Sequence, residues 1–72
     1  MVTFEITEDY IELIGLLKVL GIAETGGQAK MIVDAGLVKR NGEVEFRKRA
    51  KLVDKDIIEI DDIKITLSRT DV

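Results

Sequence analysis

A chain of 72 residues with no cysteine and no histidine has neither disulfides nor the usual structural zinc ligands to staple it, so its core must be well-packed aliphatic side chains. The formal net charge of −3 argues against indiscriminate polyanion binding. No signal-like N-terminal pattern and no membrane-length apolar run is present, so a soluble, cytoplasmic, monomeric protein of one domain, residues 1–72, is expected, with no membrane association.

The charge is unevenly distributed. Residues 1–12 carry Glu5, Glu8, Asp9 and Glu12 and no base, for −4. Residues 13–52 set Lys18, Lys30, Lys39, Arg40, Arg47, Lys48, Arg49 and Lys51 against Glu24, Asp34, Glu43 and Glu45, for +4. Residues 53–72 return to −3. A basic middle between acidic ends suggests one surface for an anionic partner, with the rest of the molecule repelling it.

In chain order, residues 1–7 alternate weakly and read as a short strand or arm. Thr7 is the expected N-cap of a first helix over residues 8–20, with Glu8 and Asp9 in its first turn. Leu13, Leu16, Leu17 and Leu20 form its apolar stripe. Ile11 and Ile14 fall outside the stripe. Gly15 marks either a close backbone approach or a tolerated residue, and Gly21 is the C-terminal stop. Thr25 and Gln28 have capping-box spacing and open a second helix whose core positions are Ala29, Ile32 and Val33, ending at Gly36. Gly26 and Gly27 leave the start of that helix bare, with backbone N–H groups that can receive a phosphate.

A hairpin follows. The apolar pattern favours a three-residue loop, Arg40-Asn41-Gly42, which pairs Val38 with Val44 and Lys39 with Glu43 and puts Phe46 on the core side. Arg40 and Asn41 then stand at the exposed tip. Arg47 to Lys51 is too charged to be core. Strands are expected at residues 57–60 and from Ile63 to Leu67, joined by a tight turn at Asp61-Asp62. Residues 68–72 read as a frayed polar tail.

Without histidine or cysteine the commonest general base and thiol nucleophile are missing. The carboxylates lie in turns and helix starts, where solvated or capping roles are the default. Asp61 and Asp62 read as turn formers rather than metal ligands. No catalytic residue, metal or cofactor is expected, and the protein is read as no enzyme. The remaining signal is basic: Lys30, Lys39, Arg40, Arg47, Lys48, Arg49 and Lys51 can converge on one face if the second helix packs beside the hairpin. Such a set grips phosphates without reading bases, although a charged edge that deters aggregation has the same composition. With Phe46 assigned to the core, the basic region has no aromatic left for base stacking, and recognition of folded RNA by phosphate and shape fits better. The second function class is a protein-interaction adaptor docking through Ile11, Ile14 and Met31.

From Leu13 to Gly42 the order of signals resembles the RNA-binding domain of the ribosomal small-subunit protein S-four type. The matching residues are Leu13, Leu17, Gly21, Ile22, Ala23, Thr25, Gln28, Ala29, Lys30, Val33, Gly36, Val38, Asn41 and Gly42. Asp56-Ile57-Ile58-Glu59-Ile60 is similar to the closing strand of that family. Gly26 stands where the family has an arginine, and Ile14 where it has an aspartate. Thr25-Gly26-Gly27 and Arg47-Lys48-Arg49 are similar to a short stand-alone bacterial subgroup. The resemblance implies an α+β fold of the αL type, with two helices packed on a small bent antiparallel sheet. It implies binding to structured RNA, often ribosomal, with the glycine helix start beside the basic run. The RNA-contact set is then Gly26, Gly27, Lys30, Lys39, Arg40, Asn41, Arg47, Lys48, Arg49 and Lys51.

Overall fold

Alternating and helically spaced aliphatic residues sort the chain into short elements around one apolar cluster. The computed structural model describes residues 2–69. Its elements are β1 (Val2–Ile6), β2 (Ile11–Glu12), α1 (Leu13–Val19), α2 (Gly26–Asp34), β3 (Val38–Arg40), β4 (Glu43–Val44), β5 (Lys51–Leu52), β6 (Ile57–Ile60) and β7 (Ile63–Arg69). The main sheet runs β1-β7-β6-β3-β4, and β2 pairs with β5 in a small second sheet. The expected α+β class with two helices holds. The main sheet is mixed rather than purely antiparallel, because β1 lies parallel to β7, from Val2 beside Ile65 to Ile6 beside Arg69. A parallel pair needs a long connection, and the whole helical region lies between these two strands.

The core draws on every layer. Leu13, Leu16 and Leu17 of α1, Ala29 and Val33 of α2, and Val38, Ile58, Ile65 and Leu67 of the sheet are buried. Each fully buried leucine or isoleucine contributes about 1.5–3 kcal/mol, which is how a chain without staples holds together. Among the described residues no helix is long and apolar enough to cross a membrane.

The second helix starts as expected. Thr25 is the N-cap, and its hydroxyl accepts the Gln28 N–H at 3.1 Å while the Gln28 side chain accepts the Glu24 N–H. The first helix is shorter than expected. Residues 7–9 form a bend, Ile11 and Glu12 pair with Leu52 and Lys51, and Glu12 rather than Thr7 occupies the N-cap. Its first amides are satisfied from across the fold: Leu13 N–H donates to the Ala50 carbonyl at 3.0 Å and Ile14 N–H to the Lys48 carbonyl at 3.1 Å. These contacts close two of the four N–H groups a helix start leaves open.

The hairpin corrects the expected register. Lys39 pairs with Val44 and Arg40 with Glu43, so the loop is the two-residue Asn41-Gly42 turn. Both turn residues have positive φ, 53° and 90°, as the type I′ turn that matches strand twist requires. Turn chemistry prevailed over apolar pattern, and the consequence is that Phe46 is 61% exposed and not in the core. The basic run is not wholly outside the core either, since Ala50 is buried within it. Ser68 and Arg69, expected in a frayed tail, complete β7, whereas residues 70–72 lie outside the described residues. Of the two residues expected at the tip, Arg40 is a half-buried strand residue and Asn41 stands in the turn.

Candidate functional site

The basic run is held at both ends. Ala50 and Leu52 are buried, β5 pairs with β2, and the Lys48 and Ala50 carbonyls receive the first amides of α1. Arg47, Arg49 and Lys51 project from this backbone and, with Arg40 and Ala50, line an open concavity. Each cation of the run has a partner that steers it. Arg47 Nε lies 3.2 Å from Glu45. Lys48 Nζ lies 3.7 Å from Asp34 at the end of α2. Arg49 Nε lies 3.5 Å from Glu12 at the start of α1. Lys51 Nζ sits 5.0 Å from the centre of the Tyr10 ring, within cation–π range. Arg47 and Arg49 are largely exposed, and exposed ion pairs of this kind contribute little to stability. They orient the cations without committing them. The hydrogen bond from Arg47 also holds the Glu45 carboxyl below the usual carboxylate range, against the opposing effect of its burial.

Arg40 and Asn41 do different work from the exposed cations. Arg40 reaches Asp56 through Nη2 at 2.7 Å and Nε at 3.1 Å, and the Lys51 carbonyl through Nη2 at 2.9 Å. Asn41 Nδ2 donates to Asp56 Oδ1 at 3.0 Å, and its Oδ1 accepts the Ile57 N–H at 2.9 Å. The Val53 N–H also donates to Asp56 at 2.9 Å. Asp56 is the buried polar residue at the centre of this network. Its burial alone would raise the carboxyl pKa. The Val53 N–H, the Asn41 amide and the Arg40 guanidinium outweigh that and hold it below the usual range. The network ties the hairpin to β5 and β6, and so fixes the floor of the concavity.

The structure divides the remaining expected contacts. Lys39 and Arg40 are neighbours on β3 and therefore face opposite sides of the sheet. Lys39 lies on the outer face opposite Val44 and Glu59. Lys30 is exposed on α2, one turn before Asp34. Gly26 and Gly27 open the same helix, whereas Lys48 meets its last residue. By helical rise the glycines stand about 12 Å along the axis from that contact, so the helix start is not brought beside the basic run. The flank expected for protein docking is also altered. Ile11 and Ile14 pack partly buried against the core, leaving Met31 of the three exposed at 72%.

Sequence reasoning missed Asp56 as the organising carboxylate and Phe46 as an exposed ring. The Asn-Gly dipeptide carried the signal for Phe46, because a strict two-residue turn gives the observed register and turns the ring outward; the role of Asp56 rests on contacts 15 and 16 residues away.

Comparison with known proteins places this architecture. The family model of the S4 domain matches residues 4–68. The chain belongs to the S4 domain family. A relative from Escherichia coli (strain K12), YbcJ, whose curated name offers RNA binding as a candidate role, is 46% identical over 54 residues, covering 74% of this chain and 77% of that protein. The YbcJ protein of Shigella flexneri matches to the same extent. The solution structure of YbcJ from E. coli, described as revealing an αL motif involved in RNA binding, superposes with a TM-score of 0.71 at 36% identity, covering 94% of this chain and 87% of that one. The expected S-four likeness and the αL-type fold are thereby shown, with the S4 match spanning both helices and the main sheet.

Proposed function

We propose that this protein is a non-enzymatic, monomeric, cytoplasmic module that binds structured RNA, with ribosomal RNA the first class to test. The observation that carries the proposal is the concavity lined by Arg40, Arg47, Arg49 and Lys51 on a backbone anchored by α1 and by Arg40. Arg47 and Arg49 are 76% and 79% exposed, so their guanidinium groups remain open to charge-assisted hydrogen bonds with a phosphate. Membership of the S4 family and the RNA binding named for YbcJ support the same reading. Arg47, Lys48, Arg49 and Lys51 form the grip in this account. Arg40 and Asn41 position it. Lys30, Lys39 and the Gly26-Gly27 helix start serve an RNA that extends beyond the concavity. The acidic ends of the chain repel the same polyanion, which restricts it to one face.

The test is binding of a structured RNA followed by fluorescence anisotropy at increasing salt. Affinity should fall on a log–log plot with a slope of about −0.7 to −0.9 per phosphate neutralised. The double charge reversal Arg47→Glu with Arg49→Glu should abolish binding and leave the thermal melt little changed, since both side chains are exposed. Undiminished binding by that variant would remove the site.

A further inference from the structure

The ring of Phe46 is the part of this surface that phosphate contact leaves unexplained. A soluble chain gains nothing in stability by presenting a phenyl ring to water, yet Phe46 is 61% exposed. The other two aromatic rings are engaged: Phe4 packs partly buried against the core, and Tyr10 faces the Lys51 ammonium. Phe46 is also held in place. A β-carbon built on Gly36 would lie 3.5 Å from its Cε1, 3.6 Å from its Cζ and 3.8 Å from Val44 Cγ1. The ring therefore rests over the Gly36 backbone at the end of α2, beside Val44, with much of its surface open. Gly36 has φ of 75°, which glycine adopts without strain.

Cations lie along the chain and the sheet face that carry this ring and the exposed Val44. Arg47 and Lys48 follow it directly, and Lys48 is drawn to Asp34 two residues before Gly36. Lys39 shares a sheet face with Val44. A fixed aromatic face flanked by cations matches the chemistry of one nucleotide: a flat base to stack and phosphates on either side. It suits an apolar protein partner less well, since a docked protein would have to desolvate these charges. We propose that Phe46 is a stacking platform for one unpaired base, so that the RNA preferred by this surface is a helix interrupted by a bulge or loop rather than an uninterrupted duplex. This rests on the RNA-binding reading above and adds the class of RNA.

The experiment compares two synthetic RNAs, a fully paired duplex and the same duplex carrying one bulged 2-aminopurine, on the full chain. Wild type should prefer the bulged RNA by about 5- to 150-fold, the range for one base stacked on an aromatic side chain, and should quench the 2-aminopurine fluorescence. Phe46→Ala and Phe46→Leu should both lose the preference and the quenching while keeping duplex affinity and salt slope. Phe46→Tyr should keep both. A Phe46→Leu variant that retains the preference would show apolar contact without stacking and overturn the proposal. So would equal affinity of wild type for both RNAs, or unchanged discrimination by Phe46→Ala, either of which leaves the duplex grip of Arg47 and Arg49 standing. Failure of wild type to bind either RNA would overturn the RNA reading itself and this proposal with it.

Discussion

Replacing Asp56 by alanine tests the network that underlies the site. The substitution removes the acceptor for Arg40 Nε and Nη2, Asn41 Nδ2 and the Val53 N–H. Breaking a fully buried pair on one side costs about 3–5 kcal/mol. Here the Arg40 side chain is 21% exposed and keeps the Lys51 carbonyl and the Glu45 carboxylate, so about 2–3 kcal/mol is expected. A chain of this length has about 4–11 kcal/mol in total, and at about 4–8 °C per kcal/mol the melting temperature should fall by roughly 10–20 °C. Circular dichroism melts and urea titrations measure it. The pH dependence supplies a second readout. The folded pKa of Asp56 is lowered, so its stabilisation is present above the unfolded carboxylate pKa and disappears as pH falls through the folded value. The gap between wild type and variant should therefore close as pH falls below the unfolded carboxylate range and through the lowered folded value. A cost below about 0.5 kcal/mol, or a gap unaffected by acid, would refute the central role given to Asp56.

Two glycines should respond to alanine with opposite signs. Gly15 lies within α1 with its nearest contact to a new β-carbon at 3.7 Å, so no close approach requires glycine, and Gly15→Ala should stabilise by about 0.5–1 kcal/mol in a urea titration. Gly42 has φ of 90° in the turn, and Gly42→Ala should destabilise by about 1–2 kcal/mol on the same assay. Equal effects at the two positions would contradict the assigned turn. Ala50 is buried beneath the basic run. Ala50→Leu should overpack that site, lowering stability by about 1–3 kcal/mol and weakening RNA affinity although no charge changes.

Local chemistry was readable wherever it acted over a few residues. The Thr25-Gln28 box, the Ala29 and Val33 face and the Asp61-Asp62 turn could all be placed from spacing. The first helix could not, because its start depends on the pairing of Ile11 and Glu12 with a strand some forty residues later. Thr7, Glu8 and Asp9 have the residue types of a cap, but the backbone there is committed to reaching β5. The hairpin presented two consistent local answers. Apolar matching of Val38 with Val44 favoured one, and the Asn41-Gly42 turn favoured the other. The turn prevailed, and its Asn41 is held by a bond to Asp56 that spans 15 residues. The same separation disguised Arg40 as a free cation. Charge composition located the basic segment, but its backbone attachment to α1 is a tertiary contact with no local signature.

That attachment has a consequence for how binding and folding communicate. The amides of Leu13 and Ile14 donate to carbonyls inside the segment that carries the cations. The segment cannot peel away without uncapping a helix whose buried face is part of the core. An RNA that clasps the segment must therefore slow hydrogen exchange at Leu13 and Ile14, residues it never touches, and raise the melting temperature by mass action. By the same linkage, whatever loosens α1 weakens the clasp by an equal factor. These two amides thus report from inside the protein on an event at its surface.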